Sequence, residues 1–100
     1  GINAEYGIIQ IQNTLILTHT IITKQLIQNI QMSNIFNVLA PFVICVEDEA
    51  FERQEVIRYV YMPMLTEVGR DSFCSCYNVR QIVTDNLKKI GSSAFQQQWT

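Results

Sequence analysis

Apolar side chains recur along this chain at steps of three, four and seven, the spacing that lines one face of an α-helix. In the segment 4–31, Ile8, Ile11, Leu15, Ile22, Leu26 and Ile30 form one such stripe, and Ile9, Ile16, Ile21 and Ile27 widen it. A helix apolar around so much of its circumference is normally sandwiched between neighbours. The stretch is also rich in β-branched Ile and Thr, and 9–17 can be read as an alternating strand. No Gly or Pro interrupts 8–30, and the run is longer than a usual strand, which favours helix with a break near Asn13 or Thr18.

Three more helices follow from the same pattern. Ser33 or Asn34 can cap the second, whose Ile35, Phe36, Leu39, Phe42, Val43 and Val46 keep helical spacing around a kink at Pro41. Asp48 can cap the third, which is apolar at Phe51, Ile57, Val60, Tyr61, Met64 and Val68, bends at Pro63 and stops at Gly69. Glu47, Glu49 and Glu52 stand near its positive end, and Glu49 precedes Arg53 by four positions. Asp71 or Ser72 opens the fourth, striped by Cys76, Val79, Val83, Leu87 and Ile90 with Ile82 beside it, and closed by Lys88, Lys89 and Gly91. Residues 92–100 form a tail carrying Phe95 and Trp99 among glutamines, which either folds back onto the helices or hangs out as an anchor. The pattern predicts one all-α domain over 1–100, about four helices in two stacked antiparallel hairpins.

From 37 to 60 the chain resembles a HEAT or armadillo-type repeat. An apolar helix with an internal proline (Val38, Leu39, Ala40, Pro41, Phe42, Val43) leads to an acidic turn at Asp48, and Phe51, Glu52 and Arg53 open the second helix. Ser33 and Ser72 begin helices 39 residues apart, near the roughly 40-residue period of such arrays. The resemblance implies a stack of helical hairpins that binds proteins or peptides along an extended face. A compact four-helix bundle is the alternative, because the long first helix and the position of Pro63 depart from the repeat.

Composition narrows the function. The chain is 48% hydrophobic and 16% charged, against a usual charged share of about 25%, so some apolar surface is expected to face a partner. Seven basic residues and a net charge of −2 leave no cationic stripe for a phosphate backbone, which argues against nucleic acid. Gln10, Gln12, Asn13, His19 and Lys24 break the Ile-rich stretch far short of the roughly 18 apolar residues a membrane span needs. Cys45, Cys74 and Cys76 are an odd set, which fits a reducing intracellular compartment, cytoplasmic or nuclear, better than a disulfide-framed secreted module. No secretory signal is recognisable. Gly1 can be foreign to the natural start, so the chain can be a piece of a longer one.

Candidate chemistry is thin. Cys74 and Cys76 with the lone His19 lack zinc-ligand spacing, and Cys74 as a nucleophile would need a base that only His19, 55 positions away, could supply. The carboxylates Glu47, Asp48, Glu49, Glu52 and Glu55 read as a cap and a solvated helix face rather than as an acid and base pair. As a function, Glu49, Glu52 and Glu55 could dock a basic segment of a partner, with Tyr59, Phe95 and Trp99 as aromatic anchors. Tyr61 reads as core, and Ile9, Ile16 and Ile27 supply the apolar contact. The expectation is a non-catalytic scaffold that binds a protein or peptide without metal or cofactor. The alternative is a homo-oligomer built on the Ile-rich first helix. Both stand on that helix being too apolar for its own domain to cover.

Overall fold

Val38, Val60 and Ile82 stand 22 residues apart in the chain and side by side in one parallel sheet. The computed structural model describes residues 7–96. Its elements are β1 (Ile8–Ile11), β2 (Thr14–Leu17), β3 (Ile21–Ile22), α1 (Lys24–Gln28), β4 (Asn37–Leu39), β5 (Cys45–Val46), β6 (Tyr59–Tyr61), β7 (Glu67–Val68), β8 (Gln81–Val83) and β9 (Lys89–Ile90). One sheet has the order β1-β2-β4-β6-β8 and the other β3-β5-β7-β9. The chain therefore winds as a solenoid, and each coil lays one strand in each sheet before a stretch of turns or the helix α1 carries it round.

The all-α expectation fails, and with it the four helices, the stacked hairpins and the HEAT or armadillo resemblance. Where the first helix was expected, β1 and β2 form an antiparallel hairpin with Ile9 opposite Ile16 and Ile11 opposite Thr14. Gln12 turns it with φ 54°. β-branched side chains fit the pleat better than a helix, and alternation sends Leu15 and Leu17 into the core. One turn and a half of helix survives as α1, capped by Thr23, whose Oγ1 accepts the N–H of Leu26 at 3.1 Å.

The second, third and fourth expected helices each break into two short strands and a run of turns. Pro41 and Pro63 do not kink helices; they sit in the corners just after β4 and β6, where no ladder donor is needed. Asp48 caps no helix either, since its Oδ1 accepts the Arg70 N–H of the following coil at 2.8 Å. Gly69 and Gly91 stop no helix. Each sits where the preceding coil comes so close that a Cβ on Gly69 would lie 2.6 Å from Asp48 N, and one on Gly91 2.5 Å from Arg70 N.

The turn side is stitched by alternating backbone bonds. Ala50, Glu52 and Gln54 donate within their own coil to the carbonyls of Glu47, Glu49 and Phe51, while Glu49, Phe51 and Arg53 donate to Arg70, Ser72 and Cys74 of the next. The next coil repeats this, with Asp71, Phe73 and Ser75 donating to Ser92, Ala94 and Gln96. Glu49, Arg53, Asp71, Ser75 and Ser93 take positive φ between 55° and 62° to make the alternation possible. Each of these N–H groups thus finds a carbonyl without a helix.

The core is a set of rows running along the stack. Val43 and Leu65 are sealed, as are Val46 and Val68, and Ile35, Ile57 and Val79 close the third wall. Phe51, Phe73 and Phe95 stack ring on ring at 5.1 and 5.6 Å, within 10° of parallel. Phe95 therefore belongs to this row rather than to a free tail, and Trp99 lies outside the described residues.

Candidate interaction surface

The parallel register sets which side chains leave the sheet together. With Leu15, Val38, Val60 and Ile82 pointing inward, their neighbours point outward. Pairing places Ile9, Ile16, Leu39, Tyr61 and Val83 in one row across all five strands. A second row holds Ile11, Thr14, Asn37, Tyr59 and Gln81. Leu39, Tyr59 and Tyr61 are 37%, 47% and 44% exposed, and Ile11 is 47% exposed. Phe42 and Met64, in the corners after Pro41 and Pro63, are exposed as well. Neither row contains a charged side chain. Asn37 donates to the Thr14 hydroxyl at 3.3 Å, which ties the second row together at its N-terminal side.

Three of the residues expected to meet a partner, Ile9, Ile16 and Tyr59, come together on this face. The others do not. Ile27 is 1% exposed and belongs to the core. Glu49, Glu52 and Glu55 lie on the turn side of the second coil, with no helix to align them. Glu49 is engaged internally, at 2.8 Å from Lys24 Nζ and 3.2 Å from Arg70. Those hydrogen bonds, from Lys24 first and then Arg70, hold its carboxyl below the ordinary value, and Glu49 in turn raises the Lys24 ammonium. Tyr61, assigned above to the core, is outward-facing. Leu39, Tyr61 and Val83 were not recognised from the sequence as surface residues. Their signal was a 22-residue recurrence beside the buried Val38, Val60 and Ile82.

The residues weighed for catalysis are dispersed. His19 lies between β2 and β3 in the first coil, and Cys74 in the turns of the third, with a whole coil between them. Burial pushes the Cys76 thiol up to about 12, and its S–H donates to the Phe51 carbonyl at 3.0 Å, so it stays protonated. Cys45 is also raised, by burial and then by Glu67, Glu47 and Asp48. Among the described residues no three His, Cys, Asp or Glu side chains converge as a metal site. An open groove of about 560 Å³ beside α1 has Lys24, Glu47, Asp48 and Glu67 on its walls, and Cys45 with them. No helix among the described residues is long and apolar enough to cross a membrane. No protein-family model, no curated protein and no solved structure matches the chain.

Proposed function

We propose that this chain is a non-catalytic binding module that holds a segment of another protein against the outer face of its five-stranded sheet. The sequence-based expectation stood on an over-apolar first helix, and that ground is gone. The row Ile9, Ile16, Leu39, Tyr61 and Val83 now carries the reading. Four inter-strand steps make this row roughly 19 Å long, and an uninterrupted apolar strip of that length in water is the mark of an interaction surface. Tyr59 and Tyr61 add rigid aromatic area with a polar tip, the composition of interface anchors. A protein or peptide partner suits a face without cations better than nucleic acid does. The three free thiols support a reducing intracellular setting, cytoplasmic or nuclear.

The test is affinity capture with the natural chain beside two variants, Leu39→Lys with Tyr61→Lys on the sheet and Glu55→Lys on the turn side, all checked for equal thermal stability. Partners lost from the sheet variant and retained by Glu55→Lys support the reading. Partners retained by the sheet variant refute it.

A further inference from the structure

The corners that lead into the five-stranded sheet form a row of their own. Asn13, Phe36, Arg58 and Arg80 stand one residue before Thr14, Asn37, Tyr59 and Gln81, which belong to the second outward row. Each of these corners is tied to the next by a carbonyl that takes two N–H groups. The Phe36 carbonyl accepts from Arg58 at 2.8 Å and Tyr59 at 3.1 Å, and the Arg58 carbonyl accepts from Arg80 at 2.7 Å and Gln81 at 3.3 Å. Arg58 and Arg80 are therefore direct neighbours, one strand spacing of about 4.8 Å apart along the stack.

Both of these arginines are exposed. Lys24 and Arg70 reach carboxylates within 4.0 Å, whereas among the described residues neither Arg58 nor Arg80 has an ion pair. Like charges side by side on neighbouring strands repel each other. Arg58 is also steadied, because its guanidinium carbon lies 4.3 Å from the centroid of the Phe36 ring. Stacking of this kind occupies the face of a guanidinium and leaves its N–H edge for an acceptor in the same plane.

We infer that Arg58 and Arg80 bind an oxyanion, a carboxylate or a phosphate group, carried by the peptide segment that lies on the sheet. The inference rests on the sheet-face reading proposed above and names the chemistry of its partner. An oxyanion between the two guanidinium groups relieves their repulsion and accepts charge-assisted hydrogen bonds from both. The outward rows beside them carry no charge, so a segment crossing the sheet meets this cationic pair only at the margin, next to Tyr59 and Gln81. A free ion is held weakly at so open a place, but a segment anchored on Tyr59 presents its anion at high local concentration. Two arginines are too few to follow a nucleic-acid backbone, and the net charge of −2 opposes one. An acidic or phosphorylated peptide is the occupant that fits.

The probe is an array of dodecapeptides, random in apolar and uncharged polar residues, each made in three forms with Glu, phosphoserine or Gln at one central position. Labelled natural chain is compared with the pair Arg58→Gln and Arg80→Gln and with the face variant Leu39→Asn and Tyr61→Asn, all checked for equal thermal stability. If loss of the Phe36 stack destabilises the first variant, Arg80→Gln alone replaces it. The Glu or the phosphoserine form should bind about tenfold tighter than the Gln form, the scale of a hydrogen bond to a charged group, and the better of the two identifies the source of the oxyanion. That preference should vanish in the arginine variant and shrink with added salt. Equal binding of all three forms, lost only in the face variant, overturns the inference and leaves the sheet-face reading standing. Binding that the face variant retains in full, or no binding of any form, defeats the sheet-face reading and the inference with it. Oligothymidine bound as tightly as the acidic peptides would make the occupant a nucleic acid and overturn the inference too.

Discussion

The ring of Phe73 lies 5.1 Å from that of Phe51 and 10° from parallel, in successive coils of the solenoid. Phe95 continues the stack on the other side at 5.6 Å. Phe73 is fully buried between the two, so Phe73→Ala removes contacts on both of its faces and leaves a cavity that neighbouring backbone cannot fill. A loss of about 3–5 kcal/mol is expected, a large part of a small domain's total stability. Phe95→Ala, at a half-buried position, should cost clearly less. Chemical denaturation of both variants measures the two losses, and equal losses would contradict this account of the stack.

Ser72 is the residue just before Phe73, fully buried, and its hydroxyl has no hydrogen-bond partner among the described residues. The same position one coil earlier and one coil later holds Ala50 and Ala94. Ser72→Ala should therefore raise stability by about 1 kcal/mol, since it removes an unsatisfied buried polar group and keeps the volume its neighbours already accept. A rise in melting temperature of several degrees is the readout; a fall would mean the hydroxyl is engaged after all.

Gly69 and Gly91 occupy the corner where successive coils touch. A Cβ on Gly69 would come within 2.3 Å of Asp48 Oδ1 and 2.6 Å of its backbone nitrogen, and one on Gly91 within 2.5 Å of both Arg70 N and Gly69 C. Backbone atoms on both sides cannot swing away as a side chain can. Ala at either position is expected to cost about 1–3 kcal/mol through forced separation of coils. Thermal melts of the two single variants settle it.

The Lys24, Glu49 and Arg70 cluster links the first three coils through one carboxylate. Because Glu49 is held below its ordinary value of 4.5, the cluster's contribution is present above that value and is lost as pH falls through the lower folded one. Glu49→Gln keeps the shape and removes the charge. The difference in melting temperature between the natural chain and this variant should be greatest near neutral pH, shrink below about pH 4 and diminish with added salt. A difference that does not change with pH would show that the charge contributes nothing.

Helical spacing of the apolar positions is real in this chain, but its source is the coil. Within the third coil the buried residues Val60, Met62, Leu65, Val68, Ser72 and Phe73 advance by two, three, three, four and one. Steps of three and four imitate a helix. The repeat compounds the imitation, because 22 residues nearly equal six helical turns of about 3.6, so Val46, Val68 and Ile90 fall on one helical face whether or not a helix exists. The telling signs were the step of two from Val38 to Ala40 and from Val60 to Met62, which is strand spacing, and Phe51, Phe73 and Phe95 at equal intervals. The 39-residue interval between Ser33 and Ser72 has no counterpart in the coils, which repeat every 22 residues.

The candidate surface was legible in part. Ile9 and Ile16 stood out for apolar excess and Tyr59 for aromatic area, and all three face outward on one sheet. Leu39, Tyr61 and Val83 were read as helix stripes because their outward direction depends on strand pairing with residues in neighbouring coils.

By itself the amino-acid sequence determined which side chains need burial and how sparse the charge is, because transfer from water depends on each side chain alone. It also determined an excess of β-branched residues at the start, which disfavours helix there. Only the tertiary structure decided that the strands form. Runs of two or three residues such as Cys45–Val46 and Glu67–Val68 have too few local bonds to be stable alone, and their N–H and C=O groups are satisfied by a neighbour 22 residues away. The same non-local pairing decided which isoleucines face the core and which face water.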